Sequence, residues 1–199
     1  MTRTFWIMLG LIVVIGGGFA SMLSFGSGGA PAAVEREAGE AAPAEDSTSA
    51  SPGRLAVPVI GVRAGAIADS WDDARGDGTR GHRGTDIMAP RGTVVVAAAP
   101  GRVEKLFDST LGGITLYVRS HDRRWTYYYA HLAGYAAGVR EGMAIKTGDH
   151  LGYVGDTGDA GPGNYHLHFA VTRTQPQDRW WQGEDVNPYP LLAGTRASR

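Results

Sequence analysis

The sequence contains no cysteine among its 199 residues. This absence excludes disulfide bridges, thiolate metal sites, a cysteine nucleophile and a lipidated N-terminal cysteine. An excess of charge of one sign is also missing, because 19 basic and 20 acidic side chains leave a formal net charge of −1. That balance gives no reason to expect nucleic acid as a partner.

Long helical periodicity is absent from the second half of the chain, whereas glycine is abundant at 30 residues. Many glycines between short β-branched and aromatic runs predict a mainly β domain with tight turns. No internal repeat of solenoid length is visible. The predicted strands are Val94–Ala98, Arg102–Phe107, Ile114–Arg119, Trp125–Ala130, His150–Val154 and His166–Thr172.

The N-terminus holds one long uncharged run, residues 5–25, and Arg3 precedes it. Such a run is long enough to cross a bilayer as a helix, and the positive charge before it places the rest of the chain outside the cytoplasm. A cleaved signal peptide is the alternative, with residues 5–15 as its apolar region and small residues for cleavage at 30–32. Either alternative predicts a domain exported to the cell envelope, on the periplasmic or cell-wall side.

Composition divides the chain into four predicted segments. Residues 1–26 form the transmembrane anchor. Residues 27–53 are Ala, Gly, Pro, Ser and Glu with almost no large apolar side chain, so they cannot bury enough surface to offset their ordering entropy and are predicted to be a disordered linker. The folded domain is expected over residues 54–192, followed by a flexible tail, 193–199.

Two of the six histidines stand one residue apart, His166 and His168 in "NYHLHFAV". Side chains alternate between the faces of a strand, so both imidazoles point to one face and Leu167 and Phe169 to the other. Two imidazoles on an otherwise apolar strand are costly to bury unless something there uses them. A half-exposed strand with one polar face is the simpler alternative.

A second pair, His82 and Asp86, lies in "RGHRGTDIMAP". Neighbouring glycines and Pro90 argue against a helix there and favour a bent loop that enters a strand at residues 86–88. Imidazole nitrogen and carboxylate oxygen are ligands of catalytic zinc, which takes three protein ligands and keeps one position open. His82 and Asp86 would supply two ligands, and one histidine of the His166/His168 pair would supply the third. A further histidine, His131, ends the aromatic run "YYYAHL", where an edge residue with a stacked ring is the alternative.

Together, "GTRGHRGTDIMAPRGT", "YYAHL" and "YHLHFAV" resemble the lysostaphin/LytM-type zinc endopeptidases, which act on bacterial cell walls. The resemblance covers about residues 55–192 and implies a compact antiparallel β-sheet or sandwich, similar to a duplicated hybrid motif. It further implies one zinc ion per domain, bound by His82, Asp86 and His168. His131 and His166 would lie beside it as catalytic residues, one activating the water and the other hydrogen-bonding the oxyanion. We favour His131 for the water.

The resemblance implies peptide stems or cross-links of peptidoglycan as the substrate. A different function is a non-catalytic domain of the same type that binds the wall and activates another hydrolase, with a regulatory protein as its partner. Homologues of that kind usually lack some metal ligands, whereas this sequence keeps all of them. A small β-barrel carrier is a third alternative, but it leaves Asp86 without a role. Departures from the family pattern, at Ala170 and Asn164–Tyr165, do not touch a proposed ligand.

The remaining polar and aromatic candidates have two interpretations each. His121 and His150 are expected at the surface. Five aspartates in the loops that flank the ligand segments either bind a substrate amino group or form turns. Trp180 and Trp181 are either a substrate platform or packing against the C-terminal segment. The five aspartates are Asp72, Asp73, Asp77, Asp156 and Asp159.

Overall fold

The computed structural model describes residues 51–76 and 78–193. The predicted anchor and nearly all of the predicted linker therefore lie outside the described residues. Within the described part, no helix is long and apolar enough to cross a membrane.

Eleven strands, two short 3-10 helices and one short α-helix make up the described chain. The strands are β1 Ala74–Arg75, β2 Arg80–Gly81, β3 Thr85–Met88, β4 Val94–Val96, β5 Gly101–Ser109, β6 Gly113–Arg119, β7 Trp125–Tyr135, β8 Ala144–Ile145, β9 His150–Val154, β10 His166–Arg173 and β11 Glu184–Val186. The 3-10 helices are Ala64–Ala66 and Gly158–Ala160, and the α-helix, α1, is Tyr189–Ala193.

Nine of these strands form one antiparallel sheet, with β1 and β2 as a separate hairpin. Its main order is β11-β10-β7-β6-β5-β8, and every pair in it is antiparallel. Strand β10 lies at the centre, because it pairs with β7 on one side and with both β3 and β11 on the other. The prediction of a mainly β, antiparallel fold is confirmed.

All six strands predicted from residue alternation are present. Strand β9 has the predicted bounds, and β5, β6 and β10 are each longer by one to three residues. Strand β4 is shorter, because Ala97 and Ala98 leave the sheet and bond elsewhere, the Ala98 N–H to the Tyr129 hydroxyl oxygen at 2.9 Å. The bent loop at 82–85 indeed enters a strand, β3.

The two faces of the sheet differ in chemistry. One face is the hydrophobic core, where the side chains of β6, β7 and β10 are almost entirely buried and apolar or aromatic. The other face carries His131, His166, His168 and Tyr128 and lines an open cleft. The core side chains are Leu116, Val118, Tyr127, Tyr129, Leu167, Phe169 and Val171.

Strand β7 was predicted to end at Ala130, but it continues to Tyr135. The register with β6 shifts here, since Tyr129 faces Leu116 and Leu132 faces Ile114. Three steps on β7 therefore oppose two on β6, which is a β-bulge. His131 lies in it with a left-handed φ of 58°, a conformation that is unusual for a non-glycine residue and often marks a functional position.

The two ends of the domain meet. The Leu55 N–H donates to the Leu191 carbonyl oxygen at 3.1 Å. Leu55 and Leu192 are both buried in the hydrophobic core.

Candidate metal centre

Three ligand-type atoms converge on the cleft face of the sheet. His82 Nε2 lies 2.9 Å from His168 Nδ1 and 3.0 Å from Asp86 Oδ1, and the third side of this triangle, His168 Nδ1 to Asp86 Oδ1, is 3.1 Å. Among the described residues, this is the one group of His and acidic side chains arranged to hold a metal ion. Tetrahedral zinc with bonds of about 2.0–2.1 Å separates its ligand atoms by about 3.3 Å, so a modest outward shift of the three atoms would accommodate it.

The pairing of β3 with β10 accounts for two corners of the triangle. Asp86 is directly opposite His168 in the antiparallel register, and directly paired residues project to the same face. Gly84 makes room for the histidine ring, because a Cβ at this position would lie 2.6 Å from His168 Cε1 and 2.9 Å from the Phe169 carbonyl oxygen. The glycine two residues before the aspartate is therefore a steric requirement of the site.

The third corner, His82, follows the β1–β2 hairpin and is 4% exposed. Its N–H and carbonyl bond to Asp73 and Asp72 across the hairpin, which fixes the main chain without a helix. Its Nδ1 lies 2.6 Å from the Ser70 carbonyl oxygen. A carbonyl oxygen only accepts, so Nδ1 carries a proton, and Nε2 is the nitrogen that faces the centre and can bind a metal ion.

The ionisation states of Asp86 and His168 favour binding of a cation. Burial alone would raise the pKa of Asp86, but the adjacent imidazoles of His168 and His82 outweigh it and hold that pKa well below its ordinary value. Burial lowers the pKa of His168, and the hydrogen bond to Asp86 offsets this only in part. The site therefore favours a neutral His168 beside an ionised Asp86. Lone pairs that converge at 3 Å repel unless a proton or a cation lies among them, and this donor set fits zinc.

Two further imidazoles lie beside the triangle. The ring of His131 is 4.8 Å from the ring of His166 and 5.8 Å from that of His168, between centroids. His131 Nδ1 is 2.8 Å from the Thr157 carbonyl oxygen, and His166 Nδ1 is 2.9 Å from the Asn164 carbonyl oxygen. When such a ring is neutral, its lone pair is therefore on Nε2.

Burial lowers the pKa of His131, and the hydrogen bond to the Thr157 carbonyl only partly offsets that effect. The bulge explains how this residue reaches the cleft, since Ala130 already faces it by pairing with His168. In a regular strand the next side chain would point into the core. The left-handed φ redirects His131 to the cleft, which it lines together with His166.

Comparison with known proteins assigns the chain to a family. The model of peptidase family M23 matches residues 80–188, which is more than half of the chain. The chain belongs to peptidase family M23. The resemblance to lysostaphin/LytM-type endopeptidases is thereby confirmed, and the matched segment includes all five candidate site residues.

Three M23 relatives illustrate the range of the family. The L-Ala--D-Glu endopeptidase of Bacillus subtilis is 34% identical over 129 residues, covering 62% of this chain and 38% of the relative. The murein hydrolase activator NlpD of Salmonella dublin is 30% identical over 112 residues, 56% of this chain and 26% of the relative. The chain thus spans less than two fifths of these curated relatives. The catalytic domain of lysostaphin from Staphylococcus simulans superposes with a TM-score of 0.53 at 26% identity, covering 63% of this chain and 90% of that one.

Arg75 is a residue of this M23 site that sequence reasoning missed. Its Nη2 donates to Asp86 Oδ2 at 2.5 Å, so the oxygen that does not face the triangle is held by a guanidinium. Partners of this kind fix the orientation of a ligand. Ser70 acts similarly, because its Oγ accepts a hydrogen bond from the Asp86 N–H at 3.2 Å. The strands of the β1–β2 hairpin are two residues long, too short for a sequence pattern to predict.

The cleft of this M23 domain has a volume of about 860 Å³. Arg80 and Asp159 approach each other along it at 3.5 Å, and Leu111 and Tyr128 contribute apolar surface. It is open to solvent and has the dimensions of a site for a substrate rather than for an ion alone.

The other candidate residues have the following places. Asp72 pairs with Arg83 at 2.7 Å, and Asp156 accepts a hydrogen bond from the Gly163 N–H at 2.9 Å within its own loop. His121 and His150 are exposed, as predicted. Asp77 lies outside the described residues.

Proposed function

We propose that this chain is a zinc-dependent metalloendopeptidase that hydrolyses peptide bonds in bacterial peptidoglycan. The observation that carries the proposal is the triangle of His82 Nε2, Asp86 Oδ1 and His168 Nδ1, with edges of 2.9–3.1 Å, at the floor of an open cleft. His82, Asp86 and His168 bind the zinc ion, one per domain. Two imidazoles and one carboxylate leave one position open, which is the arrangement of catalytic rather than structural zinc sites.

Zinc bound there would supply Lewis acidity to a peptide carbonyl and to an attacking water. His131 accepts the proton of that water at Nε2, because its Nδ1 already donates to Thr157 and burial favours its neutral form. It later returns the proton to the leaving amine. His166, whose Nδ1 is occupied by the Asn164 carbonyl, donates a hydrogen bond to the developing oxyanion when Nε2 is protonated.

Two relatives support the wall as the place of action, since one is named for cleaving the L-Ala–D-Glu bond and the other for activating murein hydrolases. The second relative, an activator, is the observation that favours the alternative of a non-catalytic domain that activates another hydrolase. The intact set of three ligand residues and two neighbouring histidines favours hydrolysis for this chain. We also propose export and anchoring through residues 5–25, on the strength of their composition and Arg3.

The test uses the full-length chain, with zinc content measured by atomic emission and sacculi as the substrate. We expect about one zinc per chain and soluble fragments, and mass spectrometry of these fragments identifies the bond that is cut. A chelator removes both zinc and activity. Asp86→Asn is the matched variant, because it keeps the size of the side chain and removes the anionic ligand.

Zinc binding without release of fragments would contradict the endopeptidase. Stimulation of a second purified wall hydrolase by the same preparation would then favour the activator. Failure to bind zinc in the unaltered chain would contradict both the metal assignment and the reaction.

A further inference from the structure

Five aromatic rings form a continuous row that starts at the metal centre. The ring centroid of Tyr128 is 5.9 Å from that of His168. From Tyr128 the row passes to Tyr117 at 4.6 Å and on to Trp180 at 4.8 Å. Trp180 in turn contacts Phe107 at 5.2 Å and Trp181 at 5.0 Å. We call this row the aromatic strip: Tyr128, Tyr117, Trp180, Phe107 and Trp181.

The aromatic strip lies on the cleft face of the sheet. Tyr128 lines the cleft and is directly opposite Ala170, which faces the same way as His168 two residues earlier. Tyr117 is directly opposite Tyr128, and the strip then reaches Phe107 on β5. It therefore crosses from β7 to β5, two inter-strand steps or about 10 Å. That length suits a short oligosaccharide or a short peptide.

The far end of the strip is open to solvent. Trp181 is 55% exposed and Phe107 is 40% exposed. Large apolar rings in water forgo the favourable free energy of burial, and contiguous exposed rings usually mark a binding surface. Trp in particular combines a broad apolar face with a polar N–H.

The loop that carries the two tryptophans is held firmly from beneath. Arg119, 2% exposed, donates from Nη2 to the Asp178 carbonyl oxygen at 3.2 Å. Arg123 donates from Nε to the Pro176 carbonyl oxygen at 2.8 Å. A buried arginine is costly unless its donors are hydrogen-bonded, and here it fixes a loop in which Trp180 is half-buried and Trp181 is exposed. The rings are thus positioned before any ligand arrives, which reduces the ordering cost of binding.

We propose that the aromatic strip binds the sugar rings of a glycan strand, so that the peptide attached to that strand enters the cleft. The proposal rests on the proposed function. A hexopyranose ring has an apolar C–H face that stacks on an aromatic ring and a rim of hydroxyl groups that needs polar partners. The strip offers both, because Lys105, opposite Tyr117, pairs with Glu141 at 2.7 Å, and the Arg179 guanidinium lies 5.2 Å from the Trp181 ring centroid.

These charged neighbours favour a sugar over an apolar segment of a protein. A protein partner would have to desolvate the Lys105–Glu141 pair and Arg179 without replacing their water, which is unfavourable. Sugar hydroxyls replace those hydrogen bonds directly. The continuity of the strip with the cleft also places the sugar and the peptide of one wall fragment on adjoining surfaces.

The test measures binding of peptide-free glycan strands to the full-length chain. Tryptophan fluorescence reports the contact, and isothermal titration calorimetry gives the affinity. Trp181→Ala is expected to weaken binding at least tenfold and Phe107→Ala somewhat less. Ile60→Ala is the matched control, since it removes a side chain that is 57% exposed away from the strip and is expected to bind as the unaltered chain does.

Equal affinity of Trp181→Ala and the unaltered chain would overturn the proposal. So would absence of glycan binding together with concentration-dependent self-association that Trp181→Ala abolishes, because the strip would then join two copies of the chain. Asp86→Asn separates the two proposals. This variant is expected to lose hydrolysis and to keep glycan binding. Glycan binding by an unaltered chain that does not hydrolyse the wall would support the strip and contradict the enzyme, whereas hydrolysis by an unaltered chain without glycan binding would do the reverse.

Discussion

The two faces of strand β10 perform different tasks with alternate residues. Leu167 and Phe169 point into the core and are fully buried, whereas His166 and His168 point into the cleft. The neighbouring strands repeat the contrast, with Tyr129 in the core and Tyr128 at the cleft. Burial of apolar side chains on one face stabilises a sheet whose other face holds polar groups at fixed spacing. Residues that stabilise the sheet and residues that form the site therefore alternate along the strand.

The largest expected effect separates adjacent residues of β10. We expect His168→Ala to abolish zinc binding and hydrolysis but to change the free energy of unfolding of the zinc-free chain by less than about 1 kcal/mol. Phe169→Ala should instead cost about 3–5 kcal/mol of that free energy, because it leaves a core cavity. Chemical denaturation in chelator measures both, since bound zinc would itself stabilise the folded state.

Equal destabilisation by the two substitutions would contradict the division between the faces. Retention of stoichiometric zinc in His168→Ala would contradict the assignment of the third ligand.

The next effect concerns the residue that the bulge redirects. His131→Asn is the suitable substitution, since Asn tolerates the left-handed φ of 58° and cannot serve as a base. We expect kcat/KM to fall about 10²–10⁴-fold, the usual contribution of general acid–base catalysis. Thermal denaturation checks that the fold is retained.

The pH dependence sharpens this prediction. Burial lowers the pKa of His131 below its ordinary 6.5, so the ring stays neutral, and able to accept a proton, to lower pH than a free histidine. Activity of the unaltered chain is therefore expected to decline only as the pH falls below 6.5, and His131→Asn should remove that decline. An unchanged acidic limb in the variant would assign the limb to another group, with His166→Asn as the next variant to measure.

The smallest expected effect concerns Gly84, which leaves space for the His168 ring. In Gly84→Ala the new Cβ would meet the His168 ring and the Phe169 carbonyl oxygen. We expect the displaced ring to weaken zinc binding about 10–100-fold, as for changes in the groups that orient ligands. Gly134→Ala is the control, because no atom lies within 4 Å of its Cβ. Competition with a chromogenic chelator measures the zinc affinity of each variant. Equal zinc affinities of Gly84→Ala and Gly134→Ala would show that Gly84 is not required.

The strands were predictable because their alternation and the glycine turns between them are local properties of the sequence. The same alternation placed His166 and His168 on one face. The extension of β7 was not predictable, because the bulge at His131 breaks the period of two and has no residue signature of its own. The role of His131 in the site therefore came from the family resemblance.

The surroundings of the site were less predictable than its ligands. Arg75 reaches Asp86 through a hairpin with two-residue strands, and Ser70 contributes a main-chain carbonyl that any residue type has. Neither has a pattern that propensity or spacing reveals. Trp180 stacks on Tyr117 and Phe107 because a long loop returns across the sheet, and no sequence pattern indicated these two contacts. Its contact with substrate stays a prediction.

The hydrogen bond between Leu55 and Leu191 joins the first and last parts of the fold at one point. A short peptide bridge between these positions would therefore close the polypeptide into a ring without moving any strand. New termini could then be opened at the exposed turn around Gly138, whose φ of 82° already belongs to a tight reversal. The strands could therefore follow one another in a different order along the polypeptide while the imidazoles stay in the same arrangement.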